Sequence, residues 1–217
     1  MLATDTNEIE AALAAIGTGS AEKIKTRLYT ERITVFNEQA RANAIAALPA
    51  AIRNHRVTQG KLLRRVEPLL TQVLQLHERT RASQQPELFL FAHDTPTAQL
   101  WRGCVLLVST GLAEPLYDGE LAGIFAHELG HVYFEDEMTT VQQRSNAQAM
   151  HVIELKCDAV AMLSVKLLGY NPVLYLKGLQ RIQVINKQKG LSSGLFQSHP
   201  ELVARAQFAE RLIKSLG

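Results

Sequence analysis

Cysteine is nearly missing from this sequence: Cys104 and Cys157 are the only two among 217 residues. Neither sits in a C-x-x-C pair, which excludes a disulfide-stapled scaffold and a cysteine-rich zinc module, and both read as free thiols. No stretch stays apolar for the roughly 18 residues that a membrane span needs. Residues 1–10 lack a basic segment followed by an apolar run, so no secretory leader is read there. These absences describe a soluble, cytoplasmic chain; a trimmed exported or membrane-associated form carries the same pattern. Charge of one sign is also scarce, with 23 basic and 21 acidic residues scattered to a net +2. Without a Lys/Arg cluster to meet phosphates, nucleic acid is not an expected partner.

What is present is apolar: hydrophobic residues make up 47% of the chain, enough for one sizeable core. The first 85 or so residues are rich in Ala, Leu, Glu and Arg and are broken at Gly17, Pro49 and Gly60, which predicts successive helices, with Ser20 as an N-cap. Residues 1–60 are read as a helical N-terminal extension and 61–217 as the main domain. From Lys61 to about Arg81, Leu62, Val66, Leu69, Leu70, Val73 and Leu74 fall on one helical face, with a kink expected at Pro68. Leu88 to Phe91 and Cys104 to Val108 are short apolar runs between turn residues, predicting two or three antiparallel strands. Asp118 is placed to cap a helix with Leu121, Ile124, Phe125, Leu129 and Val132 on its apolar side. Helices are expected again over about 143–168, 172–187 and 200–215. The fold class is α+β, mainly α, with a small antiparallel sheet.

Chemistry concentrates in His127-Glu128-Leu129-Gly130-His131. A four-residue step on a helix puts both imidazoles on one face, one turn apart, where they can chelate one metal ion. Glu128 lies beside that ion without binding it, placed to take a proton from an activated water. A catalytic zinc needs a third protein ligand and an open position. Glu154 and Asp158, one turn apart on a later helix, supply two carboxylates; Glu154 is assigned as the ligand and Asp158 as the acceptor of the other N–H of His127. The bland alternative is a pair of solvated helix faces. Cys157, three residues from Glu154, is a rival ligand, though a small buried hydrophobe is its simpler role. Glu135, Asp136 and Glu137 are read as a solvated helix end.

With these motifs in order, the sequence resembles the HtpX-like zinc metallopeptidases of the gluzincin clan, which include the CAAX-prenyl endopeptidase and quality-control proteases. Glu120 to His131 is similar to that family's active-site helix and Glu154 to Asp158 to its E-x-x-x-D helix. Leu168-Gly169-Tyr170-Asn171-Pro172 resembles its next helix junction, and Ser198-His199-Pro200 with Arg205 its T-H-P-x-x-x-x-R element. The resemblance covers roughly residues 62–215. Cys157 stands where the family more often has alanine, and Thr97-Ala98-Gln99 replaces its usual Asn-Ala-Phe beside the cleft.

The resemblance implies a gluzincin-type domain, one Zn²⁺ per chain, and an edge strand that pairs with an extended peptide or unfolded protein substrate. It brings His199 toward the metal, either to stabilise an oxyanion or to occupy the open position, and Arg205 toward a carboxylate of the site. Two further readings stand beside a peptidase. One is a latent or zinc-stabilised helical binding module, chaperone-like, with His199 as fourth ligand; the other is a hydrolase of a non-peptide substrate.

Overall fold

The structure, a computed structural model, describes residues 11, 12, 14, 37–77, 85–144, 146–191 and 202–215. Among them are nine helices and one three-stranded sheet. Helix α1 (Glu38–Ala46) starts where the Asn37 side chain accepts the Ala40 N–H at 2.7 Å, and a short α2 (Ala50–Arg53) follows Pro49. Helix α3 (Lys61–Leu76) buries Val66, Leu69, Leu70, Val73 and Leu74 along one face. Pro68 lies inside it on the exposed side and does not end it.

The strands are β1 (Glu87–Phe91), β2 (Ala98–Trp101) and β3 (Val105–Ser109). Their order is β1-β3-β2: β3 runs parallel to β1 and antiparallel to β2, so the sheet is mixed, correcting the antiparallel expectation. The reason lies in burial. All five residues of β3 are buried, which suits a strand covered on both faces, whereas β2 is half-buried and takes an edge. A tight three-residue turn, 102–104, joins β2 to β3, with positive φ at Arg102 (48°) and Gly103 (67°) and the Cys104 N–H returning to Trp101 O at 3.2 Å.

The sheet separates two apolar layers. Leu90, Leu106 and Val108 face the main core, while Phe89, Phe91, Val105 and Leu107 face Ala44 and Leu48 from the segment of α1. Trp101 ties that layer together by donating its indole N–H to Ala44 O at 2.9 Å. The outer edge of β1 is covered by residues 55–57, through Val57 N–H to Leu90 O and Ala92 N–H to His55 O, both 2.8 Å. Among the described residues no other strand covers the outer edge of β2 in this way.

Ser109 caps a one-turn α4 (Thr110–Ala113), accepting the Leu112 N–H on its hydroxyl. Helix α5 (Asp118–Tyr133) is buried over most of its circumference. Its cap differs from the expected one. Tyr117 is the N-cap residue, Glu120 reaches back to accept the Tyr117 N–H at 3.0 Å, and Asp118 instead pairs with Arg65 at 2.7 Å. Residues Glu135, Asp136 and Glu137 do not trail off α5 but open a separate α6 (Glu135–Gln143), where Glu137 holds the buried Lys156 at 2.7 Å. Helices α7 (Ala147–Leu167), α8 (Val173–Gln188) and α9 (Leu202–Ser215) complete the chain. Helix α7 packs along α5, and a Cβ on Gly130 would lie 3.0 Å from Cys157 Cα, so glycine there permits the close approach. No helix among the described residues is long and apolar enough to cross a membrane.

Candidate metal centre

The close packing of α5 on α7 brings the two carboxylates of α7 against the two histidines of α5. Glu154 Oε2 lies 3.2 Å from His127 Nε2, and Glu154 Oε1 lies 3.8 Å from His131 Nε2. A tetrahedral zinc with bonds of about 2.0–2.1 Å spaces its ligand atoms by about 3.3 Å, so two Nε2 atoms and one carboxylate at these separations suit that ion. His127, Glu128 and His131 also offer ligand atoms within 4.8 Å of one another, so two carboxylates, Glu128 and Glu154, flank the histidine pair. They differ in their surroundings. Both oxygens of Glu154 face imidazole nitrogens, whereas Glu128 Oε2 accepts the backbone N–H of Leu100, on β2, at 3.1 Å.

The far side of His127 is held by a buried polar network. Its Nδ1 lies 3.0 Å from Asp158 Oδ1 and 2.9 Å from the hydroxyl of Tyr175 on α8. Arg205, from α9, donates through Nε to Asp158 Oδ2 at 2.8 Å and through Nη2 to Asp158 Oδ1 and to the Tyr175 hydroxyl. The Tyr175 proton goes to Asp158 at 2.6 Å, which leaves the hydroxyl lone pairs for Arg205 and the His127 Nδ1–H. His127 then presents Nε2 to the site. Asp158 is 1% exposed and Arg205 6%, so this is a buried ion pair with its hydrogen-bonding capacity filled.

Without metal, the site's electrostatics push its groups apart. Burial alone would lower His127, but hydrogen bonds to Asp158 and Glu154 reverse this and hold it up at about 9. Burial and the neighbouring His127 charge lower His131 to about 4. Burial raises Glu128 to about 7 against the opposing pull of His127 and the Leu100 N–H. For Asp158, burial is outweighed by the Arg205 charge and the hydrogen bonds from His127 and Arg205, leaving it well below the usual carboxylate range. Glu128 is thus shifted toward neutrality beside the imidazole pair.

His127, Glu128 and His131, with Tyr175 and Arg205, line a cleft of about 550 Å³ whose walls are the outer edge of β2, from Ala98 to Leu100, and the α8 residues Leu179 and Ile182. Antiparallel pairing with β3 alternates, and Ser109 N–H bonds Thr97 O, so Ala98 and Leu100 turn their N–H and C=O groups outward. The sequence of peptidase family M48 matches this chain across residues 58–166, half its length and all of the elements from α3 to α7. The chain belongs to peptidase family M48. No curated protein matches it. Membership makes it a metallopeptidase of the hydrolase class, acting on protein substrates.

For this M48 chain, the structure brings together His127, Glu128, His131, Glu154, Asp158 and Arg205, all named from the sequence. His199 lies outside the described residues, as does Ser20. Cys157 is fully buried and its Sγ approaches Nδ1 of His131 at 3.6 Å, on the ring atom opposite the one facing Glu154, so it is not among the atoms that converge on the metal position. Burial and nearby Glu154 push its thiol well above the ordinary value. Two contributors escaped sequence reasoning. Tyr175 was not singled out within the expected 172–187 helix, and the Leu100 N–H carries no side-chain signal at all. The fact that Gly123 faces Tyr175, with a Cβ there 2.9 Å from its ring, is legible only once α5 and α8 cross.

Proposed function

We propose that this M48 protein is a zinc-dependent metalloendopeptidase in which His127, His131 and Glu154 hold one Zn²⁺ and Glu128 is the catalytic base. The observation that carries this reading is the position of Glu128, between the histidine pair of its own helix and the outward N–H of the β2 edge. When bound, zinc supplies a Lewis acid that lowers the pKa of water and polarises a carbonyl. An extended peptide adds to the outer edge of β2, pairing with the backbone of Ala98 and with the carbonyl of Leu100, whose N–H is held by Glu128, and its scissile carbonyl comes to lie over the histidine pair. Glu128 takes a proton from the attacking water and then delivers it to the leaving amine. Asp158, Tyr175 and Arg205 keep the His127 ring oriented and in the tautomer that frees Nε2.

Pairing through backbone groups tolerates varied side chains, and the cleft is open along the strand edge, which favours internal bonds of unfolded proteins as substrates over a single small molecule. The test is zinc content measured alongside cleavage of an unfolded protein. Glu154→Ala is expected to lose zinc and cleavage together. Full zinc occupancy in that variant would overturn the assignment of Glu154 as ligand.

A further inference from the structure

We propose that Cys157 is a positioning residue for the metal ligand His131: its sulfur accepts the Nδ1–H of that imidazole and so turns the Nε2 lone pair toward Glu154. The inference rests on the metal assignment above but not on peptidase activity.

The two histidines of the site are supported differently. His127 Nδ1 meets a carboxylate and a phenol, Asp158 and Tyr175, at 3.0 and 2.9 Å. His131 Nδ1 meets Cys157 Sγ at 3.6 Å, within reach of an N–H···S bond. Among the described residues this is the hydrogen-bond partner the His131 ring has on that side. Its other nitrogen, Nε2, lies 3.8 Å from Glu154 Oε1. An imidazole that offers Nε2 to a metal carries its proton on Nδ1, and the group accepting that proton sets ring angle and tautomer. The reverse arrangement, S–H donating to Nδ1, would place the ring proton on Nε2 and aim it at the metal position. Metal binding therefore requires sulfur to be the acceptor.

The backbone is built to allow the contact. A Cβ on Gly130 would sit 3.0, 3.1 and 3.2 Å from Cys157 Cα, Cβ and Sγ, so the missing side chain at 130 is what lets the sulfur pass close to α5 and reach the ring of the next residue. Cys157 is 0% exposed, and the His131 side chain is only 18% exposed, so an alanine at 157 would leave Nδ1 with little water to replace the lost acceptor. A carboxylate acceptor would hold the ring more firmly; a neutral sulfur sets orientation with a weaker pull on ligand basicity.

The experiment is long-range ¹H–¹⁵N correlation on histidine-labelled, metal-free full chain at mildly alkaline pH, for wild type, Cys157→Ala and Cys157→Val, with zinc affinity measured by competition against a chromophoric chelator. In wild type, His131 is expected in the Nδ1–H tautomer. Both variants should gain the Nε2–H form, and zinc should bind several-fold to about tenfold more weakly, the low end for outer contacts of metal-binding histidines. Valine keeps apolar volume while removing the acceptor. A wild-type tautomer and affinity in Cys157→Val would mean that Cys157 only fills space, and an Nε2–H tautomer in wild type would equally overturn the proposal. Neither readout uses peptide cleavage, so an inactive but zinc-binding protein would refute the peptidase reading and leave this one standing.

Discussion

The backbone N–H of Leu100 donates to Oε2 of Glu128 at 3.1 Å, joining the edge strand of the cleft to the base of the active-site helix. In the proposed mechanism, one group of the edge that would face the substrate thus tunes the residue that would take the proton. Donation to a carboxylate favours its charged form, and this contact already works against the burial that raises Glu128 to about 7.

Leu100→Pro removes that donor from an outward-facing edge position, where proline is tolerated. Glu128 should then titrate higher, so the acid limb of the kcat/KM profile moves to higher pH, and activity at neutral pH drops by roughly tenfold. A pH–rate profile checks the direction; a limb that moves to lower pH contradicts the contact's role.

Zinc uptake should depend on pH through His127. In the metal-free protein this ring stays protonated up to about 9, so zinc must displace a proton, and affinity should climb from about pH 7 to about 9 and then level off. His131, lowered to about 4, adds nothing in that window. The sign for stability follows. A folded value above the unfolded one stabilises fully below about 6.5 and the stabilisation is lost as pH rises through about 9, so the metal-free Tm should fall over the range in which zinc affinity rises. Chelator competition and thermal melts across that range test both. A flat affinity would mean that the His127 proton is not displaced.

Arg205→Leu strands the Asp158 carboxylate in the core. Loss of one partner of a buried pair costs about 3–5 kcal/mol, and the freed Asp158 and Tyr175 would also loosen His127. Denaturant unfolding should register that loss, with zinc binding weakened about 10- to 100-fold. A variant as stable as wild type would show that Asp158 finds solvent or another donor.

The parts of this site that sequence made legible are those held by helical spacing: His127 and His131 at four residues, Glu154 and Asp158 at four, each pair one turn apart on its helix. Membership in the metallopeptidase family and the mainly helical α+β class followed from the same motifs. Spacing says nothing of which strand lies in the middle, so β3 was read into an antiparallel set, although its five buried residues are the signature of a central strand. Tyr175 was missed because it reaches His127 only through the crossing of α8 over α5 at Gly123. Likewise, the step from α5 into α6 at Phe134 has no proline or glycine to announce it. There Glu137, itself exposed, reaches the buried ammonium of Lys156 at 2.7 Å.

The central claim is that Glu128 is the base of a zinc peptidase, and its most direct test is Glu128→Gln, with zinc content and cleavage of an unfolded protein measured on the same sample as wild type. Glutamine preserves the shape and can still accept the Leu100 N–H, but it cannot take a proton from water. The account predicts stoichiometric zinc in both proteins, with cleavage in the variant reduced by at least about 10²-fold. Undiminished cleavage by zinc-loaded Glu128→Gln would contradict it.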